Sequence, residues 1–211
     1  MKTNIKIAAF GVLAVIAAVI IAAFILYEPV QVVIDPGHGG KDVGAEYNGR
    51  YEKDDNLALA LLVDEKLSDM GIESCLTRNK DKKLSLEKRC EIANRKNAEL
   101  FVSLHRNSAE GASGVEIWIS SEATKKDSEL AENILNSLDE VGISQNRGVK
   151  SGYARGEGDY YVNSHTEMPS CLVELGFINS EADNELLDRN MDAYAHAIAE
   201  AIVKSIAETE Q

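Results

Sequence analysis

From residue 30 onward, short apolar runs alternate with longer stretches in which apolar side chains recur at helical spacing. Residues 30–34 (VQVVI) are almost continuously apolar, as in a central strand covered on both faces. Residues 54–70 place Leu59, Leu62, Val63, Leu67 and Met70 on one helical face, and Gly71 stands where a left-handed residue ends a helix. A second strand is predicted over 71–78. A helix follows over 85–97, capped by Ser85 with Lys88 where a full capping box carries Glu or Gln. Residues 100–104 form a short apolar strand that delivers His105. Residues 114–120 set Val115, Ile117 and Ile119 against Glu116, Trp118 and Ser120, a strand with unequal faces. A helix is predicted over 128–141. Residues 142–169 carry five glycines and no sustained period, which predicts a surface loop with a short strand at 160–162. Residues 171–175 (CLVEL) are an apolar strand, and 192–207 a closing helix. Alternating strands and helices imply an α/β domain over residues 28–211, without internal repeats or a second folded unit.

Residues 1–27 differ in kind. Ile7 to Tyr27 are twenty-one residues without a charge, preceded by Lys2 and Lys6 and followed by Glu28 and Pro29. About 20 apolar residues span the hydrocarbon layer. Signal-peptide cores are shorter and end in small residues, whereas this run ends Phe24-Ile25-Leu26-Tyr27, with Ala22-Ala23 only a poor cleavage site. The expectation is one transmembrane signal anchor with a cytoplasmic stub, its lysines inside, and residues 28–211 on the extracytoplasmic side of the cell membrane. Cleavage would release that domain instead.

Charge narrows the partners. Lys2 and Lys6 are the only charged residues of the first 27, so beyond them 20 basic residues face 35 acidic ones, a formal −15. So acidic a domain is unsuited to nucleic acid or anionic polymer through bulk electrostatics. Cys75, Cys90 and Cys171 are odd in number and lack CxxC spacing, which points to free thiols rather than a zinc–thiolate site.

Of four histidines, His38 and His105 each follow an apolar strand, and ligands gather at the carboxyl ends of strands in open α/β sheets. Glu52 lies fourteen residues beyond His38, on the loop leaving the first strand. Two imidazoles and a carboxylate with an open position form a catalytic zinc set, although a single histidine is more often structural. Glu174 interrupts an otherwise apolar strand, and a buried carboxylate needs a partner or a proton. It is either a proton-transfer group near a strand end or the partner of a core arginine such as Arg78 or Arg89. Gly37-His38-Gly39-Gly40 lacks the GK[ST] of a nucleotide loop, so no nucleotide is expected. Cys171 reads as an inert core thiol, His165 as an exposed loop residue within reach of substrate, and His196 as a packing or surface residue.

Four segments together resemble the zinc-dependent N-acetylmuramoyl-L-alanine amidases of the Amidase_3 family. IDPGHGGKDVGA (34–45) is similar to the first-histidine motif and EKDDNLALAL (52–61) to a glutamate ligand opening a helix. SLHRNS (103–108) is similar to the second-histidine motif and LVELGFINS (172–180) to the catalytic-glutamate motif. TR at 77–78, R…IAN at 89–94 and NRGVK at 146–150 follow in the family's order. The resemblance implies a central mixed six-stranded sheet flanked by helices. It also implies one Zn²⁺ held by His38, Glu52 and His105, with Glu174 as general base and then acid. The substrate would be peptidoglycan, cut between the muramic-acid lactyl group and L-alanine. Arg106, where the family often has a smaller residue, and Asn107 are expected to touch substrate. The interval of 69 positions from His105 to Glu174 leaves no room for the long site-blocking helix of some relatives. Nothing in the sequence identifies a protein activator. Two other readings are a membrane-tethered wall-binding or regulatory protein without activity, and a zinc peptidase acting within the stem peptide.

Overall fold

The computed structural model describes residues 30–154 and 156–209. The anchor expected over residues 7–27 lies outside them, and among the described residues no helix is long and apolar enough to cross a membrane. The elements are β1 (Val32–Pro36), β2 (Glu46–Tyr47), β3 (Arg50–Tyr51), α1 (Glu52–Asp69), β4 (Ser74–Leu76), α2 (Leu86–Lys96) and β5 (Leu100–Asn107). They continue with β6 (Val115–Ile119), α3 (Lys125–Val141), β7 (Asn146–Ser151), α4 (Tyr161–His165), β8 (Ser170–Phe177) and α5 (Glu181–Thr209).

Six strands form one mixed sheet in the order β4-β1-β5-β8-β6-β7, in which only the β6–β8 pairing is antiparallel. The expected fold class, a mixed six-stranded sheet flanked by helices, is what the chain adopts.

Strand alternation sorts the core into two unequal halves. Val32, Ile34, Leu100, Val102, Leu104, Ile117, Cys171 and Val173 point to one face, where they meet Leu59, Val63, Leu130, Ile134, Ile198 and Ile202 of α1, α3 and α5. Val33, Phe101, Trp118 and Leu172 point to the other, against Cys90 and Ala93 of α2 and Val162 beside them. Three long helices cover the first face, but only α2, of 11 residues, and α4, of 5, cover the second. The uncovered part of that second face, at the carboxyl ends of β1, β5 and β8, is the cleft.

Four elements differ from the sequence reading. The irregular stretch contains β7, an edge strand of half-exposed residues whose NRGVKS carries no apolar alternation. Residues 160–162, expected as a strand, enter the helical turn α4, whose Val162 and Asn163 are buried. Helix α5 starts at Glu181, eleven residues before the apolar period becomes visible. Its first turn is secured by polar groups instead: Ser180 Oγ accepts from the Asp183 amide at 3.3 Å, and Asp183 accepts from the amides of Phe177 and Gly114. Finally, β5 runs on to Asn107, so His105 lies within a strand rather than beyond it.

Candidate active site

Period two places the chemistry. On β5, Phe101, Ser103 and His105 share the thinly covered face, and on β8 so do Leu172 and Glu174. His105 and Glu174 are register partners across the parallel β5–β8 ladder. Glu52 is the first residue of α1 and enters from the helix end. His38 sits on the glycine-rich turn after β1 at φ 59°, a left-handed conformation uncommon outside glycine.

These placements converge. Glu52 Oε1 lies 2.7 Å from His105 Nδ1 and Oε2 lies 3.2 Å from His38 Nε2, with the two rings edge to face at 4.9 Å. One ligand atom from each of the three lies within 4.8 Å of the others. The approach depends on missing side chains. A Cβ on Gly37 would lie 2.2 Å from the His105 ring, and one on Gly44 would lie 2.5 Å from Glu52 Oε2.

Glu52 is buried and also accepts from the amides of Ala45 at 2.8 Å and Arg106 at 3.1 Å. Burial opposes its charge, but hydrogen bonds with His105 and His38 hold its carboxyl far below the usual range. Burial likewise works against a charged His38, yet Glu52 and Asp42 outweigh it and raise its pKa. Asp42 Oδ1 sits 2.9 Å from His38 Nδ1, fixing the ring with Nε2 turned toward Glu52.

Arg78 and Arg89, the core arginines considered as partners for Glu174, are used elsewhere. Arg78 donates to the carbonyls of Pro36, Gly37 and Lys53. Arg89 donates to the carbonyls of Pro36 and His38 and to Asp35 Oδ1 at 2.6 Å. Asp35, fully buried, also accepts from Thr77 and from Ser103 at 2.8 Å. The sequence offered Arg78 and Arg89 only as possible partners of Glu174, although TR at 77–78 and Arg89 belong to the segments that carry the family resemblance. They grip the backbone that carries His38.

Glu174 is buried, and its antiparallel neighbour on β6 is Glu116. Glu116 accepts from Asn107 Nδ2 at 2.8 Å, Trp118 Nε1 at 3.1 Å, Arg147 Nε at 2.8 Å and Lys150 Nζ at 2.5 Å. Asn107 thus borders the cleft while tied to Glu116. Arg106 also lines the cleft, but its side chain, 1% exposed, binds Asp55 at 2.6 Å and Asn184 at 2.7 Å. His165 stacks on Tyr161 and His196 is an exposed residue of α5 near Glu200. All three cysteines are free. Burial pushes the Cys90 thiol up to about 11 and Cys171 higher still, which leaves both unreactive.

The cleft over these groups measures about 880 Å³ and is lined by His38, Glu52, His105 and Glu174 below, residues 83–86 on one side and Tyr153, Asp159 and Tyr160 on the other. That is room for a ligand well beyond a single amino acid.

Relatives share this plan. The uncharacterized protein YqiI of Bacillus subtilis is 40% identical over 184 residues, covering 85% of each chain. The N-acetylmuramoyl-L-alanine amidase LytC of the same organism is 36% identical over 177 residues, 82% of this chain and 34% of LytC. Among solved structures, the N-acetylmuramoyl-L-alanine amidase AmiC2 of Nostoc punctiforme superposes with a TM-score of 0.76 at 37% identity, covering 85% of this chain and 98% of AmiC2. The CwlD amidase of Clostridioides difficile, solved in complex with the GerS lipoprotein, gives a TM-score of 0.76 at 30% identity over 84% of this chain and 98% of CwlD. Residues 32–208 match the Amidase_3 family, and this protein belongs to that family of N-acetylmuramoyl-L-alanine amidases.

Proposed function

We propose that this amidase is a single-zinc hydrolase that cuts the amide between the muramic-acid lactyl group and L-alanine in peptidoglycan. The observation that carries this reading is the convergence of His38, Glu52 and His105, with ligand atoms within 4.8 Å of one another, beside Glu174 in strand register. Two imidazoles and one carboxylate suit zinc and leave coordination open, and Asp42 on His38 Nδ1 is the carboxylate support such ligands use. Bound there, zinc supplies Lewis acidity toward water and the amide carbonyl.

The chain's own residues do the rest. Glu52 stays ionised, held by His105 and His38 and by two backbone amides. Glu174 takes a proton from the attacking water and returns it to the alanine nitrogen as the C–N bond breaks. Asn107 borders the substrate, and Arg147 and Lys150 balance the charge of its partner Glu116 so that Glu174 does not face a bare like charge. Arg106 acts through its backbone amide on Glu52 and through its ion pair with Asp55.

Glu174→Gln should retain one zinc per chain and lose at least about 100-fold in kcat. His38→Ala and His105→Ala should lose the zinc too; metal content equal to wild type in both histidine variants would remove the ligand assignment. Digestion of purified cell wall separates the three functional readings. Free stem peptides beginning with alanine support the amidase, new ends within the stem support a peptidase, and no release supports a binding protein.

We further propose that residues 7–27 hold the domain at the extracytoplasmic face of the membrane, on the strength of their uncharged length. Fractionation tests this: the full chain should pellet with membranes and resist carbonate extraction, and recovery in the soluble fraction would overturn it.

A further inference from the structure

Among the described residues three large apolar side chains are exposed, Leu61, Leu86 and Tyr153. Two of them, Leu86 and Tyr153, line opposite walls of the cleft. The walls differ in chemistry. On the β6–β7 side, Tyr153 and Tyr160 meet edge to face at 4.9 Å, and Tyr160 rests on Trp118 at 5.6 Å. Lys150 Nζ stands 5.3 Å from the Trp118 ring. The segment carrying both tyrosines is pinned at its ends: Gly152 N donates to Ile119 O at 3.0 Å and Tyr160 N to Gly152 O at 3.3 Å. Asp159 braces it further, accepting from the Ser121 amide and from the hydroxyls of Ser120 and Ser121. An aromatic pair held this firmly, Tyr153 exposed and Tyr160 half-buried, costs little entropy when a ligand lands on it.

That wall carries Asp159 as well as the cation Lys150, and burial of Asp159 is outweighed by the serine hydrogen bonds that lower its pKa. Across the cleft stands Lys83, exposed, with Lys80 and Lys82 nearby in a chain of net charge −13. Its segment is fastened to the His38 turn: Gly40 N donates to Asp81 at 2.6 Å, Lys53 binds Asp81 at 2.7 Å, and a Cβ on Gly40 would sit 2.9 Å from Lys83 N.

We propose that Tyr153 and Tyr160 form a saccharide subsite that stacks a pyranose ring of the glycan strand, and that the anionic stem peptide runs along the opposite wall beside Lys83. An N-acetylated pyranose is uncharged and presents C–H faces that suit an aromatic surface. A peptide bearing free carboxylates is attracted by the exposed Lys83, whereas Lys150 on the tyrosine side is already paired with Glu116. This orientation rests on the amidase reading of the site.

The test uses the full-length zinc-loaded chain and two substrates sharing the same lactyl–alanine amide, one carried on an N-acetylglucosaminyl–N-acetylmuramic acid disaccharide and one with no sugar. Tyr153→Ala should lower the ratio of kcat/KM between them about tenfold, through KM, and Tyr153→Phe should restore it. Lys83→Gln should raise KM on the carboxylate-bearing peptide more than on the same peptide with its carboxylates amidated. An unchanged ratio in Tyr153→Ala overturns the subsite, and equal effects of Lys83→Gln on both peptides overturn the orientation. Calorimetric titration with the free disaccharide reads the subsite without turnover: binding to wild type and loss in Tyr153→Ala supports it, and no difference overturns it. Failure of wild type to cut either substrate while the disaccharide still binds at Tyr153 would count against the amidase reading alone.

Discussion

The two flanks of the cleft are held by opposite means. On the β1–α2 flank, Asp35, Arg78 and Arg89 are buried, and the arginines spend most of their donors on the carbonyls of residues 36–38. On the β6–β7 flank the buried group is Glu116, and its cations Arg147 and Lys150 are 28% and 32% exposed on an edge strand. The first arrangement fixes main chain and therefore the direction of His38. The second steadies side chains beside solvent, where substrate must enter. Rigid backbone serves the candidate metal ligands; adjustable, partly hydrated charge borders the cleft.

Breaking the first flank should cost most. Arg89→Ala strands the Asp35 carboxylate in the core, and loss of one partner of a buried pair costs about 3–5 kcal/mol. Urea unfolding should show that loss together with weaker zinc retention, and a cost under about 1 kcal/mol would mean the two flanks are alike. Gly37→Ala should come next: the Cβ overlaps the His105 ring at 2.2 Å, an overpacking of about 1–3 kcal/mol, with zinc affinity falling further than stability. Calorimetric titration of the apoprotein with zinc checks it.

On the second flank, Arg147→Ala should cost about 1 kcal/mol, because its guanidinium is hydrated and Lys150 remains on Glu116. The smallest effect is the pH signature of Glu116. Burial raises its pKa, but Lys150, Arg147 and Trp118 outweigh this and set the folded value below the unfolded one. Stabilisation from this group is therefore complete above the unfolded value of about 4.3 and is lost as pH falls through the lower folded value. Glu116→Gln should shrink the stability difference between pH 7 and pH 3 relative to wild type; an unchanged difference would show that Glu116 is not coupled to its cations.

Much of the site was legible because its residues break local pattern. Glu174 is a charge in an apolar strand, and His38 and His105 follow apolar runs. Glu52 precedes the first apolar position of α1. What escaped had no such contrast. Strand β7 is half exposed and its NRGVKS lacks an alternating face, so only pairing with β6 defines it. The start of α5 is secured by Ser180 and Asp183, a tertiary arrangement that binds amides of β8 and of Gly114. Arg106 sits next to a metal-ligand candidate in sequence, but one step along a strand turns a side chain to the other face. The gripping roles of Arg78 and Arg89 depend on carbonyls of residues 36–38, 41 to 53 residues away, and have no local signal.

Strand β8 is the last in sequence, yet it lies between β5 and β6, which are neighbours along the chain. Until residues 170–177 arrive, β5 and β6 have no native partner between them and Glu174 cannot reach His105. Contacts of such sequence separation form late, after long loops have closed. A chain still emerging from its ribosome therefore holds an incomplete hydrolase. Competence to cut begins with the insertion of one strand, so the order of synthesis itself keeps the enzyme silent until β8 has arrived.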